Sequence, residues 1–202
     1  MDALSTLAFS LIVITAMVIL IFRDWRINTA ALTLQYLAVF YLVTLSWPIG
    51  LAIVKLIVGW MATAAIGLTC LRQMDVDTPI EPTSSLFFRG LAGLMVILVI
   101  FVISSTLQET VFPNVDLVII RSGLMLVGMA LMQLGTNALP FLTIMSLLSF
   151  LAGFEVIHAA LERSTLLIGL MASVNLGLAL VGVYFIMKNN ERNVVQKEEE
   201  NK

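Results

Sequence analysis

ALSTLAFSLIVITAMVILIF, residues 3 to 22, runs for twenty positions without one charged side chain. At a helical rise of about 1.5 Å per residue such a stretch is about 30 Å long, the thickness of the hydrocarbon layer of a bilayer. A secretory signal would want a basic leading region and a shorter apolar stretch. Here the second residue is Asp2, and the segment is expected to be a retained span.

The rest of the chain repeats the pattern. Of its 202 residues 60% are hydrophobic and only 12% charged, with a mean hydropathy of +1.03. Ordinary soluble domains carry about 25% charged residues, and a soluble core could not absorb this much apolar surface. The apolar runs are continuous, whereas the strands of an outer-membrane barrel alternate apolar and polar positions. The fold class is therefore an all-α, polytopic membrane helical bundle. Cys70 is the single cysteine, which rules out an internal disulfide and suits a packing role.

Seven spans can be drawn, at Ala3 to Phe22, Asn28 to Ser46, Ile49 to Leu71, Leu86 to Leu107, Leu117 to Leu134, Leu139 to Leu161 and Thr165 to Met187. Short connections such as SWPIG (46 to 50), LGTNALP (134 to 140) and LERST (161 to 165) force neighbouring spans into antiparallel hairpins. Two longer links, RQMDVDTPIEPTSS (72 to 85) and QETVFPNVD (108 to 116), leave a three-span and a four-span part that pack as one bundle over residues 1 to 187. The tail, 188 to 202, is polar with nothing to bury, and is expected to be disordered or a short interfacial helix.

Lys and Arg are commoner in cytoplasmic loops. With the N-terminus outside and the C-terminus cytoplasmic, Arg23, Arg26, Arg72, Arg89, Lys188, Arg192, Lys197 and Lys202 fall inside, against Lys55, Arg121 and Arg163 outside. This eight-to-three bias sets the expected orientation in a cell inner (plasma) membrane. Trp25 then fits an inner interfacial anchor and Trp47 an outer one.

Ionisable residues within the spans are the candidates for function. By helical rise Glu155 lies about 10 Å below the outer end of its span, Lys55 about 9 Å and Arg121 about 6 Å. An ionised side chain in hydrocarbon costs about 2.5 to 3.5 kcal/mol on insertion scales, so such groups face a partner or water. Glu155 is expected to pair with Lys55 or Arg121. His158 follows at i+3 on the same helical face, one turn nearer water, which suits a proton relay. The bland alternatives are snorkelling of Lys55 and Arg121 to the interface, a protonated Glu155 hydrogen-bonded between helices, and packing for His158.

Gln35, Gln133 and Asn175 form a second polar set. Amides of this kind commonly join helices; in a functional account Asn175 and Gln35 would continue a hydrated path inward from Glu155. Gly90 with Gly93, Gly123 with Gly128, and Gly177 with Ala179 and Gly182 would let backbones approach. The eleven methionines suit adaptable packing, and one His and one Cys without paired acids suggest no metal site. There is no P-loop, nucleotide fingerprint, HExxH or GxSxG, so no catalytic residue, cofactor or nucleic-acid partner is expected.

The turn LGTNALP, the stretch AGFEVIHAA (152 to 160) and the final span ending ASVNLGLALVGVYFIMKNNE (172 to 191) resemble the small three-helix K subunit (chain 4L) of NADH-quinone oxidoreductase. With RDWRINTAALTLQYLAVF (23 to 40) and Lys55 in AIVKLIVGW (52 to 60), the whole chain resembles the E subunit of hydrogenase-4-type complexes. Where the family usually carries a second acid in the last span, this chain offers Ser173 and Asn175. The resemblance implies a non-catalytic membrane subunit of a complex I or hydrogenase-type assembly. Its partners would be antiporter-like or hydrogenase subunits, and a buried glutamate would serve proton translocation. The alternative is a membrane scaffold or assembly protein whose buried polar groups only fix helix register.

Overall fold

In the computed structural model the chain is all-helical, and the structure describes residues 3–73, 83–136, 139–162 and 164–200. The first two residues, Asp2 among them, the centre of the link at 72 to 85, the turn residues 137–138, Arg163 and the last two residues lie outside the described residues. The helices are α1 (Ala3–Ile21), α2 (Trp25–Thr44), α3 (Ile49–Gln73), α4 (Thr83–Thr110), α5 (Leu117–Thr136), α6 (Pro140–Leu161) and α7 (Thr165–Glu200). All seven are long and apolar enough to cross a membrane.

Their ends follow local chemistry. The side chain of Asp24 accepts a hydrogen bond from the backbone N–H of Arg26 at 2.9 Å, an N-cap that starts α2 at Trp25, three residues ahead of the apolar run. Pro140 opens α6, where its missing N–H costs nothing. The Pro48 carbonyl accepts from the N–H groups of Leu51 and Ala52 as α3 begins. The tail differs from the expected disordered or separate segment: α7 continues unbroken to Glu200. Lys, Glu, Gln and Arg dominate 188 to 200 and are strong helix formers, so an established helix has no reason to stop at Met187.

Two rows of three helices make the bundle. α2 packs between α1 and α3, and α6 between α5 and α7; across the rows α1 lies against α5, α2 against α6 and α3 against α7. α4 sits at one end, in contact with α5 and α1. The space between rows is filled by fully buried Ile12, Leu32, Leu42, Met125, Leu126, Met145 and Leu148. The outward faces, such as Leu4, Leu68, Phe87, Val102 and Leu166, are apolar and exposed, as expected of surfaces that meet lipid.

Small residues set the closest approaches. A Cβ built on Gly153 of α6 would stand 2.8 Å from the carbonyl oxygen of Gly123 and 2.9 Å from the backbone N of Val127, both on α5. The two helices thus cross backbone to backbone at Gly123 and Gly153. Gly59 of α3 is covered by the ring of Tyr36 from α2.

Candidate functional site

Three polar clamps tie the two rows together. At one end the side-chain amide of Gln133 on α5 donates to the carbonyl of Ile19 on α1 at 2.9 Å. Gln35 on α2 donates through Nε2 to the Ser149 hydroxyl on α6 at 3.0 Å, and its side chain is fully buried. The third clamp is ionic. Lys55 Nζ on α3 lies 2.8 Å from Glu155 Oε1 on α6, with 5% and 3% of the two side chains exposed.

A third helix joins that pair, for Asn175 on α7 donates its Nδ2 to the same Glu155 oxygen at 3.3 Å. The aromatic face of Trp47, in the turn between α2 and α3, stands 5.6 Å from Lys55 Nζ, within cation–π range. Trp47 is buried rather than set as an outer anchor, because Leu167, Ile168 and Met171 of α7 line the same narrow crevice. Glu155, His158 and Lys55 complete its lining, and the side chains leave no room for a water-sized sphere. The Tyr36 hydroxyl, buried on α2, is within electrostatic reach of Glu155.

Arg121 does not join the cluster. Its Nε donates to the Ser104 hydroxyl at 3.0 Å and its guanidinium stands 5.0 Å from the centre of the Phe101 ring, both on α4. Depth alone had grouped it with Lys55 and Glu155; the side of α5 it occupies faces the wrong neighbour. Gln35 also stands apart, bonded to Ser149, which precedes Glu155 on α6 by almost two turns, about 9 Å by helical rise.

His158 is only partly buried and lies in the crevice wall, its Nε2 3.8 Å from Glu162 Oε2. Sequence reasoning missed Trp47, Tyr36 and Ser149 as neighbours of the polar groups. Among the described residues several buried atoms have no hydrogen-bond partner: Gln35 Oε1, Tyr36 Oη, Trp47 Nε1, Ser122 Oγ and Asn175 Oδ1. No three His, Cys, Asp or Glu side chains among the described residues converge as a metal would require.

No family model, curated protein or solved structure matches the chain.

Chemically, the cluster holds one carboxylate against one ammonium inside an apolar bundle. Neither charge can be removed alone without stranding the other, at a cost of about 3 to 5 kcal/mol. A proton passed from Lys55 to Glu155 would neutralise both at once. The arrangement can thus store a proton, or lock three helices in register.

Proposed function

We propose that this chain is a non-catalytic subunit of a membrane complex of the complex I or hydrogenase type, with its N-terminus outside the inner (plasma) membrane. In this reading Glu155 is a protonatable station, Lys55 its charge partner, His158 its link toward water, and Asn175 with Gln35 its continuation inward. Antiporter-like or hydrogenase subunits would be its neighbours. The observation that carries it is the buried contact of Lys55 with Glu155, supported from a third helix by Asn175. Ionisable groups this deep in a span are costly and commonly mark proton or ion pathways. The unpartnered atoms of Asn175, Tyr36 and Gln35 supply further hydrogen-bonding capacity within the bundle.

The test is Glu155→Gln, which keeps shape and hydrogen bonding while removing the titratable proton. The chain would be tagged and its complex purified, the co-purifying subunits identified, and proton uptake followed with a pH-sensitive dye after reconstitution. Proton movement should be lost while assembly stays intact. Unchanged proton uptake in Glu155→Gln rejects the reading.

A scaffold role has its own support, the tightness of the crevice around the pair. A pair that serves only to fix register can be replaced by apolar residues of similar volume. Lys55→Met combined with Glu155→Leu should preserve the complex's activity if the chain is a scaffold, and abolish proton movement if it conducts.

A further inference from the structure

Glu155 and His158 stand at positions i and i+3 of α6 and so share one helical face, and Glu162, in extended conformation, is the residue that ends the helix one turn beyond His158. Their side chains are 3%, 18% and 70% exposed, a graded course from the bundle interior to water. His158 is within electrostatic reach of Glu155 and 3.8 Å from Glu162. Glu162 caps the C-terminus of α6 by donating its backbone N–H to the His158 carbonyl at 3.0 Å, which keeps the two residues adjacent whatever their side chains do. The Phe154 ring stands 6.0 Å from the imidazole centre and is tilted 35° to it.

We propose that Glu162 is the surface carboxylate that exchanges protons with water on behalf of the buried Lys55 and Glu155 pair, with the His158 imidazole carrying each proton between them. The inference rests on reading Glu155 as protonatable and adds the route by which its proton arrives and leaves. On release, the Glu155 carboxyl gives its proton to one nitrogen of neutral His158. The imidazolium then gives up the proton of its other nitrogen to the Glu162 carboxylate, which passes it to water. A ring flip restores the starting tautomer; one proton leaves Glu155, one reaches water, and no other bond changes. Loading runs the same steps in reverse.

The separation of 3.8 Å exceeds a hydrogen bond, and rotation of the exposed Glu162 side chain, a motion of picoseconds to nanoseconds, is enough to close it. Glu155 is faced by Lys55 from α3, Asn175 from α7 and Tyr36 from α2. Among the described residues, the remaining side chains of the crevice that His158 lines are Trp47, Leu167, Ile168 and Met171, none of which titrates.

The experiment uses the full chain in lipid nanodiscs and follows the carboxyl C=O band of Glu155 by time-resolved infrared spectroscopy after a pH jump. The band is assigned by its loss in Glu155→Gln. Glu162→Gln should slow its relaxation about tenfold, the loss expected when a surface charge no longer concentrates protons at the entrance. His158→Ala should slow it about a hundredfold, as removal of a positioned proton carrier does, and added imidazole should restore the rate. Glu109→Gln, a change at another exposed acid, should leave the rate alone. Wild-type relaxation in both the Glu162 and His158 variants, or no rescue by imidazole, overturns the relay while leaving Glu155 titratable. A Glu155 band that never responds to pH overturns the relay and the proton-station reading together.

Discussion

Lys55 Nζ and Glu155 Oε1 are 2.8 Å apart across the junction of α3 and α6, inside a bundle whose surface is apolar. The pair is costly to form and more costly to break. Lys55→Met or Glu155→Leu alone leaves one buried charge without its partner, and each should lose about 3 to 5 kcal/mol of stability. The double variant should recover most of that loss. Unfolding titrations in mixed micelles supply the four corners of the cycle, and a coupling energy near zero would mean that the two groups do not depend on each other.

The crossing of α5 and α6 makes a second prediction. In Gly153→Ala the new methyl would meet the Leu126 Cβ at 2.7 Å as well as the backbone of Gly123 and Val127, none of which can swing aside. The expected cost is about 1 to 3 kcal/mol, the usual penalty of overpacking. Gly177 is the control, since a Cβ there has nothing within 4 Å. Gly177→Ala should be neutral or stabilising by about 0.4 to 1 kcal/mol, through a less flexible unfolded chain. Equal effects at both glycines in the same unfolding assay would contradict the close crossing.

Trp47 covers Lys55 from the turn side. Trp47→Ala should forfeit a cation–π contact of about 0.5 to 2 kcal/mol and open the crevice. Lys55, buried in the native protein, should then react with a membrane-impermeant amine reagent. Peptide mapping reads the modification directly, and continued protection of Lys55 would show that Trp47 is no cover.

The orientation proposed from the Lys and Arg distribution can be read with thiols. Cys70 is fully buried, so Cys70→Ala gives a silent background. In that background Glu109→Cys, near the end of α4, should be labelled by an impermeant maleimide from outside the cell, and Arg192→Cys, past the apolar part of α7, only after the membrane is opened. The reverse pattern would invert the proposed topology.

The helical class and the seven helices long and apolar enough to cross a membrane were legible because hydrocarbon imposes a demand on every residue of a span, and a run such as 3 to 22 answers it without help from the rest of the chain. Glu155 and Lys55 could be brought together on depth, which follows from distance along a helix. Arg121 could not be kept apart on the same ground, because depth gives height in the membrane and says nothing about which way a side chain points. Its placement against Ser104 and Phe101 depends on where α4 docks. Trp47 read as an anchor because the expected orientation sets it at the outer interface; its burial comes from α7, more than a hundred positions later. Gly153 gave no signal because its partner Gly123 lies on another helix. The extension of α7 was hidden because the lack of apolar residues in 188 to 200 suggested either disorder or a short separate helix at the interface, and gave no sign that the last span continues through it.

α4 buries the least of itself of the seven crossings, yet the meeting of Lys55 with Glu155 depends on it. Successive crossings alternate in direction, so helices four apart in order, α1 with α5, α2 with α6 and α3 with α7, lie side by side pointing the same way. A simple loop from α3 to α5 would send the second triplet in upside down, and the carboxylate would end at the opposite leaflet from the ammonium. One extra traverse restores parity. For that task the count of traverses matters and cannot change by one, while Ser104 and Phe101 keep α4 docked against Arg121.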